Sequence, residues 1–135
     1  MKERDLKPFK AGIDAGVPFL MVSHNVIDDY DKGVPASLSK KLHNYIRKDM
    51  GYDGIILCDG LGMSGVRDYV GGDKGEVAVR AVMAGNDMLC ATDVGVQLRA
   101  IVKAVKDGRI KLSQIEDSVT RILMTKINYG LIEKE

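Results

Sequence analysis

Apolar positions recur along this chain in two alternating rhythms: stretches with three- and four-residue spacing, and short unbroken apolar runs. The first rhythm predicts amphipathic helices and the second predicts buried strands. Leu6, Phe9 and Ile13 predict a first helix over about Asp5 to Ala15, stopped by Gly16. The run PFLMVSH reads as a strand covered on both faces, as parallel sheets require. After the polar loop NVIDDYDKGVPA, Ser37 or Ser39 can cap a helix carrying Leu38, Leu42, Tyr45, Ile46 and Met50, ended by Gly51.

A second strand, GIILCD, leads into the glycine-bearing loop GLGMSGVRDYVGGDKG and a short helix from about Glu76 to Ala84, stopped by Gly85. NDMLCA is the third strand. Asp93 then caps a helix with Leu98, Ile101, Val102 and Val105, terminated by Gly108. In the last helix Ser113 and Glu116 have capping-box spacing, and Ile115, Val119, Ile122 and Leu123 form its buried face before Gly130. Strand and helix alternate throughout, which predicts an α/β protein with parallel strands joined by crossover helices. Three parallel strands leave two edges with unpaired backbone groups. Either another chain completes the sheet or the sequence is a piece of something larger.

Composition narrows the classes. With 45% apolar and 29% charged residues, the 135 residues can form one domain with a real core. The net charge of +1 is spread along the chain, so nucleic acid is not an expected partner. The longest apolar runs, such as Val17 to Val22, are far shorter than the roughly 18 residues of a membrane span. MKERDLKPFK lacks a signal-type apolar region, so no membrane partner and a cytoplasmic location are expected. Cys58 and Cys90 both lie in strand-like runs and read as small buried hydrophobes.

In parallel α/β folds, functional groups gather at the carboxyl ends of the strands. That rule points to His24 and Asn25, to Asp59, and to Ala91 through Asp93. Asp59 closes GIILC and precedes a glycine-rich loop, although a plain capping aspartate would read the same. Gly60, Gly62 and Gly65 also fit the G-x-G-x-x-G dinucleotide fingerprint. Three features oppose that reading: Asp59 would repel a pyrophosphate, Gly71 and Gly72 interrupt the expected helix, and Asp87 begins the next strand instead of ending it. The cluster Asp28, Asp29 and Asp31 matches no calcium-loop spacing and reads as a solvated acidic loop, leaving no expected metal site.

The segments DLKPFKAGIDAGVPFLMVSHN, PASLS, GYDGIILCDGLGM, AVRAVMAGNDMLC and SVTRILMTKINYGL, in this order, resemble the family 3 glycoside hydrolases. Leu61 and Met63 favour the β-N-acetylhexosaminidase branch, since the β-glucosidases usually carry a tryptophan directly after the aspartate. The resemblance implies that residues 1–135 are the C-terminal part of a (β/α)8 TIM-barrel domain, its sixth to eighth strands with their helices. It further implies that Asp59 is the nucleophile ending the seventh strand. The mechanism would be retaining: the carboxylate attacks the anomeric carbon, and a second group protonates the leaving oxygen and later activates water. No cofactor is called for.

The branch's acid/base histidine and its sugar-binding lysine, histidine and arginine belong to the first part of the barrel and have no counterpart here. Gly60 stands where the branch often has an acidic residue or alanine, and a glycine is expected to loosen the loop holding Asp59. His24 is a poor replacement acid and is expected to contact substrate or Asp59, Met63 is expected to touch the sugar, and His43 to sit on a solvated helix position. Asn86 and Asp87 begin their strand, where polarity serves stability, and are excluded from the site. A full barrel takes about 250 residues, so the chain is expected to be inactive alone. The parent activity would be hydrolysis of terminal β-linked N-acetylglucosamine, or of a β-glucoside. The expected partners are this carbohydrate substrate, and further copies or a complementary N-terminal barrel part that closes the sheet.

Overall fold

A computed structural model describes residues 2–133. Helices α1 (Lys2–Asp5) and α2 (Lys7–Asp14) precede strand β1 (Phe19–Val22). A single 3-10 turn (Ala36–Leu38) leads into α3 (Lys40–Lys48), followed by β2 (Ile55–Cys58), α4 (Ser64–Tyr69) and α5 (Lys74–Ala84). Strand β3 (Met88–Leu89), α6 (Val94–Lys106) and α7 (Leu112–Asn128) complete the order. The strands are parallel in the order β1-β2-β3, with Leu20 opposite Ile56, Val22 opposite Cys58 and Cys58 opposite Leu89.

The α/β alternation and the three strand positions agree with the sequence reading; several local details differ. The first helix is broken at Leu6, because Pro8 lacks an amide hydrogen and is accommodated in the first turn of a new helix. Ser39, not Ser37, caps α3, accepting from the Leu42 amide at 3.1 Å, and Leu38 lies in the 3-10 turn. The glycine loop contains α4, and α5 begins before Glu76 because Asp73 Oδ1 accepts from the amides of Gly75 and Glu76 at 2.8 and 2.9 Å. The capping box in the last helix is absent: the N-cap residue is Lys111, which places Ser113 inside the helix.

In β1 burial alternates, with one face covered, whereas three of the four residues of β2 are buried. Leu20, Val22 and Ile56 pack with Leu42, Ile46, Met50 and Tyr52 beneath α3, while Cys58 and Leu61 pack with Val66, Val77, Ala78 and Ala81 of α4 and α5. On the opposite face of β1, Phe19 and Met21 are 48% and 53% exposed. The expectation of a strand covered on both faces is therefore corrected. All the crossover helices that could cover β1 lie on the other side, and nothing among the described residues buries Phe19 and Met21. The last helix likewise leaves Val119 and Leu123 exposed where a buried face was expected.

Two further corrections concern single residues. His43 is buried in α3, 2% exposed, and its Nδ1 lies 2.8 Å from the Ser39 carbonyl, so it is not a solvated position. It falls on the same helix face as Leu42 and Ile46, against Gly85, where a side chain on residue 85 would come within 3.3 Å of the His43 Cβ. Cys58 is buried but Cys90 is exposed, because Cys90 lies just past the end of β3.

The N-terminal end of the sheet is held by polar groups. Asp87 Oδ2 accepts from the Ile56 amide at 2.8 Å and from Arg47, while Arg47 Nη1 donates to the carbonyls of Tyr52 and Gly54 at 2.8 and 2.6 Å. This is the stabilising role expected of Asp87 at that face.

Candidate active site at the end of the central strand

Asp59 directly follows β2, the central strand, and its amide donates to the Val22 carbonyl at 3.1 Å, continuing the β1–β2 pairing by one residue. Its carboxylate is half-buried. Oδ1 accepts from the Gly60 amide at 2.7 Å, and Oδ2 makes no hydrogen bond among the described residues. One oxygen is thus oriented by the backbone while the other remains available.

The turn after Asp59 is closely tied down. The Gly60 carbonyl accepts from the Met63 amide at 3.1 Å, and the Leu61 amide donates to the Cys90 carbonyl at 3.1 Å. The Leu61 side chain is buried in the core. Gly60 therefore does not loosen this loop as expected: both its amide and its carbonyl are bonded, and its φ is not in the left-handed region. The same bonds weigh against the dinucleotide reading. The amides of Gly60, Leu61 and Met63, which such a loop would turn toward phosphate oxygens, already donate to Asp59, Cys90 and Gly60.

His24, just past β1, reaches this turn. Its Nε2 lies 2.9 Å from the Gly60 carbonyl and its Nδ1 2.7 Å from Ser37 Oγ. It touches the turn that follows Asp59 rather than the carboxylate itself. Met63 is the N-cap residue of α4 and is 52% exposed on the same turn, with its Cγ 3.9 Å from where a Cβ on Gly60 would be. The structure thus brings Asp59, His24 and Met63 together around Gly60.

Other candidates have structural tasks. Asp93 caps α6, accepting from the Val96 amide at 3.4 Å, and pairs with Lys74 at 3.2 Å. Asp28 accepts from the Gly33 amide at 3.0 Å, and Asp31 from Ser39 and Lys41 at 2.9 Å each. Lys41 holds the Asp31 carboxyl below the usual carboxylate range. Among the described residues no group of three or more His, Cys, Asp or Glu could hold a metal ion, and no helix is long and apolar enough to cross a membrane.

Sequence reasoning marks Thr92 only as part of the strand end from Ala91 through Asp93, and shows neither its packing on Gly62 nor the role of Ser37. Gly62 packs so closely on Thr92 that an added Cβ would lie 2.9 Å from its Cγ2. The only available signal was the glycine itself, since close backbone approach is one of the reasons a loop carries one.

Comparison with known proteins gives a consistent result. The glycosyl hydrolase family 3 N-terminal domain matches residues 1–125. An uncharacterised secreted glycosyl hydrolase of Arthroderma benhamiae is 31% identical over 87% of this chain and 35% of its own length. A β-N-acetylglucosaminidase/β-glucosidase of Cellulomonas fimi is 28% identical over 91% of this chain and 24% of its own. The solved family 3 β-N-acetylglucosaminidase of Paenibacillus sp. str. FPU-7 superposes with a TM-score of 0.88 at 32% identity, covering 97% of this chain and 26% of that one. The chain spans about a third or less of the length of these relatives.

Proposed function

The chain belongs to glycosyl hydrolase family 3, and on that premise we propose that it supplies the nucleophile, Asp59, for retaining hydrolysis of terminal β-linked N-acetylglucosamine, with β-glucosides as the alternative substrate. The observation that carries the proposal is the state of the Asp59 carboxylate: it closes the central parallel strand, one oxygen is fixed by the Gly60 amide, and the other is unbonded among the described residues. A nucleophile needs that combination of a fixed orientation and a free lone pair. The sugar assignment draws on the relatives, whose names include both β-N-acetylglucosaminidase and β-glucosidase.

In this reading β1, β2 and β3 are the sixth, seventh and eighth strands of a (β/α)8 barrel, and Met63 lines the sugar pocket beside Asp59. A retaining glycosidase needs a second group about 5–5.5 Å from the nucleophile to act as acid and then base. His24 does not suit that role, because both ring nitrogens have protein partners. The acid/base is supplied from outside these residues, so the 135-residue chain is inactive by itself.

The test is mechanism-based trapping in the full-length protein with a fluorinated N-acetylglucosaminide and a fluorinated glucoside. A covalent adduct on the peptide containing Asp59 is expected, and Asp59→Asn should lower kcat by roughly a thousandfold or more. Turnover that survives Asp59→Asn, or an adduct on another residue, would overturn the proposal.

The exposed Phe19 and Met21 and the open sheet edges favour a companion reading, in which this α/β unit closes its sheet against a complementary part carrying the remaining strands, or against further copies. Light scattering on the isolated chain checks it: a stable monomer with Phe19 and Met21 still exposed would count against association.

A further inference from the structure

The polar groups behind Asp59 form one connected path. Asn86, buried at the start of β3, donates from Nδ2 to the carbonyls of Ser37 and Ala81 at 2.8 and 2.7 Å. Ser37, fully buried in the 3-10 turn, places its hydroxyl 2.7 Å from His24 Nδ1. His24 Nε2 meets the Gly60 carbonyl at 2.9 Å, and the Gly60 amide holds Asp59 Oδ1 at 2.7 Å. The path runs from the N-terminal end of one strand to the catalytic end of its neighbour.

Donor and acceptor chemistry fixes the direction of each bond. A carbonyl oxygen only accepts, so His24 Nε2 carries a proton; in the neutral ring Nδ1 is then an acceptor and takes the Ser37 hydroxyl hydrogen. The imidazole is thus held in one tautomer by the Gly60 carbonyl, and the buried Ser37 hydroxyl fixes the ring from its other side. The residue it grips is a glycine, which has the widest backbone freedom of any residue and no side chain to anchor it. The Gly60 carbonyl is held from two sides, by His24 and by the Met63 amide at 3.1 Å.

We propose that His24, oriented by Ser37 and Asn86, is a positioning residue that holds Gly60 and through it aims the Asp59 carboxylate. The proposal rests on the reading of Asp59 as nucleophile. It assigns His24 neither to acid/base chemistry nor to sugar binding, because its two ring nitrogens are both engaged by the protein.

The test uses the full-length hydrolase. His24→Phe keeps the ring shape and removes both nitrogens; a misaimed nucleophile should lower kcat by about a hundredfold, with KM changed by no more than about twofold. His24→Gln, whose side-chain amide can still donate to the Gly60 carbonyl, should recover most of the loss. Ser37→Ala should give an intermediate loss. In nitrogen-15 spectra the His24 ring should show a protonated Nε2 and a hydrogen-bonded acceptor Nδ1 in the parent protein, and in Ser37→Ala the Nδ1 signal should move to that of an unbonded acceptor while Nε2 stays protonated.

Full kcat in folded His24→Phe would overturn the proposal, as would a rise in KM with kcat unchanged, which marks a substrate contact. A Gln variant no better than Phe would do the same. So would a ring protonated at Nδ1. Should His24→Phe fail to fold, His24→Gln, Ser37→Ala and the ring spectra decide the question. Failure of the nucleophile reading is separable, because it shows as turnover by Asp59→Asn whatever the His24 tautomer.

Discussion

Arg121 of the last helix donates to Asp87 at the start of β3 across 3.1 Å, joining the end of the chain to the N-terminal edge of the sheet. The Asp87 side chain is 1% exposed and also bonds Arg47, Ser118 and the Ile56 amide. It is the polar hub of the face opposite Asp59.

Removing that hub should be costly, because the Arg47 guanidinium would lose its buried partner and the Ile56 amide its acceptor. Asp87→Ala is expected to lower unfolding free energy by about 3–5 kcal/mol. Asp59→Ala loses one bond to its own neighbour and should change stability by less than about 1 kcal/mol. Urea unfolding of the two variants measures the contrast, and equal losses would refute it.

His43 should make the fold sensitive to acid. Burial pushes its imidazole below the ordinary histidine value, with the bond to Ser39 opposing the shift. Its Nε2 and the nearby Asn86 Oδ1 are both buried without a hydrogen-bond partner among the described residues. The unfolded chain takes up a proton at about pH 6.5, while the folded chain resists it. The contribution to stability is therefore complete above that pH and is lost as pH falls through the lower folded value. Urea midpoints measured between pH 8 and 5 should decline on the acid side, and His43→Leu should decline less steeply. Parallel curves for the two proteins would show that His43 does not carry the effect.

The two glycines after Asp59 should respond oppositely to alanine. At Gly60 φ is not positive, and a Cβ would meet only Met63 Cγ and Sδ at 3.9 and 4.0 Å. Gly60→Ala should thus raise stability by about 0.4–1 kcal/mol through the unfolded chain. At Gly62 a Cβ would lie 2.9 Å from Thr92 Cγ2 and 3.2 Å from its Oγ1. Gly62→Ala should cost about 1–3 kcal/mol by overpacking, and Thr92→Ala in the same protein should relieve part of it. Melting curves of the three variants check both signs.

The two thiols should differ in reactivity. Cys90 is exposed, whereas Cys58 is buried and burial pushes its thiol up to about 12. Alkylation of the native protein at pH 8 followed by peptide mass analysis should mark Cys90 alone, with Cys58 labelled only after unfolding. Native labelling of Cys58 at the rate of Cys90 would contradict this picture.

Much of the site was legible before folding is considered. Asp59 was marked by closing an apolar run, and the resemblance to family 3 hydrolases rested on segments that include it. His24 was marked by its place at a strand end, yet its neighbours were not. Ser37 could be read only as a possible cap, because nothing in local spacing shows that a serine 13 residues away faces the imidazole. His43 was misread for a related reason: helical spacing indicates which residues share a face but not how wide the covered face is. The glycine fingerprint had the opposite fault. Its letters fit, and only the committed amides of Gly60, Leu61 and Met63 show that they serve a different turn.

The sequence by itself determined the alternation of strands and helices, the parallel α/β class, the family and the position of Asp59. These depend on periodicity, glycine stops and local motifs, all written within short windows of chain. Only the tertiary structure decided which face of β1 is covered, that Cys90 is exposed and His43 buried, and that Asn86, Ser37 and His24 line up behind Gly60. Those relations join residues tens of positions apart, and they exist only once the crossover helices have packed on one side of the sheet.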